Sequence, residues 1–428
     1  MFLLAIAGCS SHAARRPNVL LVLIDTLRSD HVHCYGYDRE VTPTLDSLAA
    51  AGTMWTSVQG QAAWTLPAMA TIFTGLTERQ HLAGFRDGRL YGMADELKTL
   101  PEIFSENGYR TSGFYNVPVM TTKYGFTQGM DFVDLQGCRL AVDADVINEK
   151  FLDWLDESED QDAPFFAVLH YFDPHYPYIP PEPWDGLFSD PDHPHTHWAS
   201  EPSTVLLSAG SEGLLDGEVI RRLIDLYDGE IAFMDSELGI LMEELRSRGL
   251  DGNTVVFVTA DHGEEFLEHG GLLHGFTLFT EITGLPMIAC GPGIEEGYVD
   301  TVSAAQIDVL PTLLGLAGIR HAIEGGGVDL SRGNTPGRIL PASGFSSDAE
   351  SYLTVRRDDE ILFWDYVSGR STMFDLSLDP MEQDSLEPDS SLLSEAEWYR
   401  ATPPAADPDP VPGAQRRIEA LRDLGYFH

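Results

Sequence analysis

The residues best suited to chemistry stand where apolar runs of the sequence stop. Asp25 follows the run Asn18–Ile24 (NVLLVLI), and Asp261 with His262 stands where the run Thr254–Thr259 (TVVFVT) ends. Two carboxylates and an imidazole brought to one place form the donor set of a divalent metal site. A single Asp after a strand is ordinarily a turn or helix cap, so the two strand ends carry the reading only together. Thr65 lies in AWTLPAMATIFTG, residues 63–75. Pro67 suits the first helical position and Gly75 the C-terminal cap. Thr65 then lies at a helix N-terminus, where free N–H groups and the dipole favour an anion. There it is either an N-cap or, beside a metal, a hydroxyl activated as a nucleophile. Arg28, three residues after Asp25, has two readings: neutralising the site or an anionic substrate, or a structural ion pair.

Such residues need a rigid scaffold, and the chain can build one. It has 428 residues, 43% of them hydrophobic, which excludes disorder or a fibrous repeat for the whole. Continuous apolar runs recur at 111–115, 165–170 (FFAVLH) and 286–290, as in strands buried on both faces of a parallel sheet. Between them Ile220, Leu223, Ile224, Tyr227, Ile231, Met234, Leu238, Leu241 and Leu245 keep helical spacing. Alternation of this kind predicts a doubly wound α/β fold with a mostly parallel central sheet and sites at the carboxyl ends of its strands. Residues 180–217, rich in Pro, Asp, Ser and His, read as a long surface loop, with His193, His195 and His197 solvated in it. From Phe345 the pattern changes to short strands with polar turns, a small antiparallel C-terminal subdomain. The expected organisation is an N-terminal segment 1–16, a catalytic domain 17–344 and a C-terminal part 345–428, where a Pro/Asp linker (403–412) precedes a last short helix.

The 68 acidic residues against 26 basic ones give a formal net charge of −42. Such a surface repels nucleic acid and anionic membranes. The four cysteines are too scattered for a disulfide framework or a zinc knuckle. Around Cys9, the stretch IAGC resembles a bacterial lipobox, which implies an exported periplasmic or membrane-anchored lipoprotein, lipidated at Cys9.

Taken together, NVLLVLIDTLRSDHVHCYGY, TLPAMATIFTG, FFAVLHYFDPHYPY, YDGEIAFMDSELGIL, TADHGEEFLEHGGLLHGFTLF and MFDLSLDPMEQDSL resemble the sulfatase family of the alkaline phosphatase superfamily. The motifs stand in that family's order over nearly the whole chain. The resemblance implies an alkaline phosphatase-like fold, metal ligands at Asp25, Asp261 and His262, and Thr65 as a nucleophile completing the shell. It puts His175 where the family contacts the ester's anionic group and His274 where a Lys or His assists the leaving oxygen. His170 is a further substrate-binding candidate, and Asn116 occupies the family's lysine position. One divalent ion is implied, Ca²⁺ or Mn²⁺ by the oxygen donors, with Zn²⁺ also admitted by the imidazole.

Three departures bear on the reaction. Sulfatases carry Cys or Ser in a Cys-x-Pro-x-Arg pattern and convert it to formylglycine; here Thr65 and Met69 stand at the two ends, so no formylglycine is expected. The second Asp of the family's Asp-Asp pair is Thr26. A threonine ester cannot collapse through a geminal hydroxyl and must be cleaved by water. The sequence therefore supports a sulfate ester hydrolase, with two alternatives: a phosphodiesterase, phosphonate hydrolase or phosphoglycerol transferase of the same superfamily, and a non-catalytic binding protein. The expected partner is a small anionic ester, sulfate or phosphate.

Overall fold

The computed structural model describes residues 16–412 and Ile418, apart from 136, 140–141, 158–161, 323 and 347–348. The lipobox-like stretch at Cys9 lies outside the described residues, and so does most of the expected terminal helix. Among the described residues no helix is long and apolar enough to cross a membrane.

Eight strands form the central sheet: β1 (Asn18–Ile24), β2 (Gly52–Trp55), β3 (Arg110–Phe114), β4 (Phe132–Asp134), β5 (Phe165–Tyr171), β6 (Thr254–Ala260), β7 (Met287–Cys290) and β8 (Tyr298–Asp300). Their spatial order is β8-β2-β7-β6-β1-β5-β3-β4. β1, β5 and β6 are buried at every position, as their unbroken apolar sequences require of strands covered on both faces. Pairing is parallel except along β7, which runs antiparallel to both β6 and β2. The apolar run at 286–290 thus reverses direction, a difference that composition does not carry.

Register decides what meets at the sheet's edge. Leu23 pairs with His170 and Ile24 with Ala260, so the residues that follow, Asp25 and Asp261, leave neighbouring parallel strands at the same height. Helices cover both faces, the longest spanning Gly217–Ser247 with Asp216 capping it through bonds to the N–H groups of Glu218 and Val219. The stretch 180–217 is not all loop, since Ser203–Ser211 is a helix whose Leu206 and Ala209 are buried.

The antiparallel sheet of the C-terminal part comprises Ile339–Ser346, Ala349–Arg357, Glu360–Asp365 and Arg370–Asp375. It begins before Phe345, so its first strand lies largely inside the stretch assigned by sequence to the catalytic domain. The helix Ser390–Arg400 packs on it through Leu392, Ala396 and Tyr399.

Candidate active site

Thr65 opens the helix Thr65–Thr74, all ten residues of which are buried. Thr65 is the first helical residue, with Trp64 as a cap that supplies no side-chain bond, and Pro67 is third rather than first. That position also tolerates proline, because the first four N–H groups of a helix have no partner within it. Gly75 ends the helix in the left-handed conformation at φ 64° and bonds back to the Thr71 carbonyl.

The Thr65 hydroxyl oxygen lies 3.3 Å from His262 Nε2. His262 Nε2 in turn is 3.6 Å from Asp25 Oδ1 and 3.4 Å from Asp261 Oδ2. Asp25, Asp261 and His262 each offer a ligand atom within 4.8 Å of the others, and all are fully buried. The His262 ring donates Nδ1–H to the Gly263 carbonyl at 2.9 Å, which leaves the Nε2 lone pair facing the carboxylates. Asp261 Oδ1 accepts from the N–H groups of Thr26 (3.2 Å) and His262 (2.8 Å). Both oxygens of Asp25 and Oδ2 of Asp261 are buried without a donor. Unpaired carboxylate oxygens converging on an imidazole lone pair repel one another unless a cation lies among them, so these residues fit a divalent ion. The same crowding sets the protonation energetics. Burial first, then the charges of Asp261 and Glu264, hold the Asp25 carboxyl well above the usual carboxylate range. Burial also raises Asp261 and pushes His262 down to about 4.

Three more histidines flank this centre. The His274 ring lies 4.3 Å from that of His262 between centroids, and the His175 ring 4.9 Å from His274. His274 Nδ1 is 2.8 Å from Glu264 Oε1, while Tyr178 donates its hydroxyl to Glu264 Oε2 at 2.9 Å. Burial lowers His274 to about 3 and raises Glu264 to about 8. His175 donates Nδ1–H to the Tyr176 carbonyl at 2.5 Å. His170, at the end of β5, donates Nδ1–H to Asn116 Oδ1 at 2.7 Å and turns Nε2 toward Asp25 Oδ2, 3.9 Å away.

Two of the sequence candidates are engaged by protein partners. Asn116 accepts from His170 Nδ1 and donates Nδ2–H to the Val142 carbonyl, contacts that orient the ring. Arg28 makes a buried ion-pair network. Its guanidinium pairs with Asp30 (2.7 Å) and Glu268 (2.6 Å) and bonds the Glu264 carbonyl. His193 sits away in its loop, near Glu218.

Several supporting residues escaped the sequence reading. Tyr227 holds the turn after β1 by donating to the Thr26 carbonyl at 2.6 Å, with Thr26 itself at φ 56°. Gln306 donates to the Asp261 carbonyl at 2.5 Å. Gly263 is required because a Cβ there would stand 2.0 Å from the Glu281 carbonyl oxygen. Only the glycine after Asp-His, unexplained by any turn pattern, signalled this close approach.

A family model described as Sulfatase matches residues 17–319. The uncharacterized sulfatase YidJ of Escherichia coli is 28% identical over 357 residues, covering 71% of this chain and 68% of that protein. A Delta 4,5-hexuronate-2-O-sulfatase of Bacteroides thetaiotaomicron is 24% identical over 440 residues, covering 92% and 89%. Among solved structures, the phosphonate monoester hydrolase of Agrobacterium radiobacter superposes with a TM-score of 0.70 at 20% identity, covering 95% of each chain. A protein solved with its substrate D-glucosamine-2-N,6-O-disulfate superposes at 0.71 with 18% identity, covering 96% of this chain and 98% of that one. With the matched segment spanning most of the chain, the chain belongs to the sulfatase family of the alkaline phosphatase superfamily.

Proposed function

We propose that this chain is a metal-dependent hydrolase of sulfate esters or related anionic esters in which Thr65 is the nucleophile. The observation that carries the reading is the 3.3 Å separation of Thr65 Oγ1 from His262 Nε2, beside three buried carboxylate oxygens without donors. Asp25, Asp261 and His262 would hold the ion, with Thr65 next to it. A bound divalent ion supplies positive charge that lowers the hydroxyl pKa and offsets the charge of the ester oxygens. The two carboxylates with an imidazole suit Mn²⁺ or Zn²⁺, and the oxygens alone suit Ca²⁺.

Thr65 Oγ, whose proton would be released to solvent as the ion binds, attacks the sulfur or phosphorus, and its new bond forms as the bond to the leaving oxygen breaks. His274 protonates that oxygen. Glu264, with its carboxyl pushed up to about 8, is protonated at neutral pH and hands its Oε1 proton to His274 Nδ1 as the Nε2 proton passes to the leaving oxygen, so the ring stays neutral. His175 binds the ester's anionic oxygens; its Nδ1–H is spent on Tyr176, so this contact uses a second proton on Nε2, which the substrate's own charge favours. Water then cleaves the Thr65 ester, with Thr65 Oγ leaving.

A phosphoric or phosphonic ester is the second reading. Thr65 itself favours it, since threonine cannot become formylglycine, and two phosphonate monoester hydrolases share the fold. The lipobox-like segment at Cys9 supports an exported, lipid-anchored protein, which acyl labelling of wild type against Cys9→Ala tests. The activity is tested with matched aryl sulfate, phosphate monoester, phosphodiester and phosphonate substrates under Ca²⁺, Mn²⁺ and Zn²⁺. Turnover of one class by wild type, lost in Thr65→Ala, supports the reading. Turnover that survives Thr65→Ala removes the nucleophile, and no turnover of any class favours a binding protein.

A further inference from the structure

The segment that leads into Thr65 and the strand end that carries Asp261 and His262 are joined by two buried glutamines. Val58–Gln59 and Ala304–Ala305 pair as short parallel strands, with Gln59 opposite Ala305. Gln61 and Gln306 lie just past those strands, at 1% and 0% exposure. Each side chain bonds the backbone of the other's segment. Gln306 Oε1 accepts the Gln61 N–H at 2.9 Å, and Gln61 Oε1 accepts the Ile307 N–H at 2.7 Å.

The amide hydrogens fix both ends of this brace. Gln306 donates its two Nε2–H groups to the Ala260 carbonyl at 3.1 Å and the Asp261 carbonyl at 2.5 Å. Gln61 donates Nε2–H to the Pro341 carbonyl at 3.4 Å, and its own carbonyl accepts the Ser343 N–H at 3.1 Å, so the first strand of the C-terminal sheet holds the same segment. A flipped Gln306 would set its oxygen against two carbonyls and its NH2 against the Gln61 N–H, so only one orientation of the amide fits. A buried amide with its oxygen and both hydrogens engaged is rigid, and it admits one spacing of the segments it joins. Thr65 stands four residues beyond Gln61, and the carbonyl that Gln306 grips belongs to the peptide between Asp261 and His262.

We propose that Gln306 and Gln61 are positioning residues that set Thr65 against the Asp261–His262 pair. The inference rests on the metal and nucleophile assignment proposed above and names what holds Thr65 Oγ1 at 3.3 Å from His262 Nε2. Gln306 acts on the peptide that links the two metal-ligand candidates: with its carbonyl held, the Asp261 carboxylate and the His262 ring leave the strand end in a fixed relation. Gln61 acts on the nucleophile's side, keeping in place the residues before the helix Thr65–Thr74. Misplacing reacting groups by about 1 Å costs a rate factor on the order of 10², so such a brace bears on turnover as well as on folding.

The test is the Mn²⁺ affinity of the full chain, titrated after chelator treatment, with kcat and KM on the preferred ester at saturating Mn²⁺ and denaturant unfolding as a control. Gln306→Met keeps the length of the side chain and loses every bond of the amide. It is expected to weaken Mn²⁺ binding by about 10-fold or more and to lower kcat by a similar factor, with KM little changed. Gln61→Met touches no metal-ligand residue; it is expected to lower kcat by about 10-fold with a smaller loss of Mn²⁺ affinity, about 3-fold. The double variant is expected to lose no more kcat than Gln306→Met alone, since either change opens the same brace. Folded variants with lowered stability but wild-type Mn²⁺ affinity and kcat overturn the inference, and so do losses that multiply in the double variant. Should Gln306→Met fail to fold, Gln61→Met decides by the same readouts, and should no ester be turned over, Mn²⁺ affinity decides alone. A wild type that binds no Mn²⁺ removes the site reading and this inference together. A wild type that binds it, with Thr65→Ala fully active, removes only the nucleophile and leaves the Mn²⁺ affinity of Gln306→Met to decide.

Discussion

Thr65 and His262 are 197 residues apart in the chain, yet the threonine hydroxyl lies 3.3 Å from the imidazole Nε2. The contact joins the first turn of a buried helix to the end of β6. Neither partner can move far, since Thr65 and His262 are both fully buried.

This contact gives Thr65 a role that size alone does not fill. Thr65→Val keeps the volume and removes the oxygen. It is expected to lower kcat/KM by about 10³-fold or more while Thr65→Ser retains measurable turnover. Steady-state rates on the preferred ester check this, and near-normal turnover by Thr65→Val refutes it.

Arg28 is expected to matter for stability and not for substrate affinity. Arg28→Met leaves Glu268 and the Glu264 carbonyl without their buried partner, at a cost of about 3 kcal/mol. Denaturant unfolding should show this loss with KM little changed; a large rise in KM at full stability would return Arg28 to the substrate.

Asn116 acts through His170. Asn116→Leu frees the ring to turn and strands Nδ1–H, so kcat should fall by about 10-fold with KM less affected. Asn116→Asp, which still accepts from Nδ1, should recover most of the rate. Equal losses in both variants would exclude the orienting role.

Stability of the chelator-treated protein should fall as pH rises from about 6.5 to 8. Burial holds Glu264 near 8, Glu382 near 7 and Asp173 near 7, far above their ordinary values. At the start of this window the unfolded chain has released those protons and the folded chain still holds most of them, with Glu264 holding its own longest, so raising pH favours unfolding by up to about 1.4 kcal/mol per group and pH unit, fading as each group passes its folded value. Below 6.5 the buried His170 and His274, both near 3, act in the opposite sense. Melting temperatures across this range check the sign, and a rise toward pH 8 contradicts it.

Much of the scaffold was legible because its information is local. Unbroken apolar runs such as NVLLVLI specify strands buried on both faces, and the long amphipathic pattern specified Gly217–Ser247. The direction of β7 was not legible, since an apolar run reads alike both ways and only its neighbours β6 and β2 orient it. The helix Ser203–Ser211 was hidden for a related reason: its Pro- and His-rich flanks resemble loop, and its few apolar residues gain from helix formation only once packed.

The site divides along the same line. By itself the sequence named the candidates: Asp25, Thr65, Asp261 and His262 stand at predictable element ends, and their types, with the family resemblance, support the proposed metal-assisted attack on an anionic ester. It also determined the −42 exterior, which excludes a polyanion along the surface but not a small ester in a cleft. Only the tertiary structure decided which way each side chain points. Asn116 and Arg28 carry the right chemistry at plausible positions, and both are satisfied by other partners, because an amide or guanidinium takes whatever acceptors folding brings within hydrogen-bond reach. Hydrogen bonds form across space between segments far apart in the chain, and no local pattern encodes them.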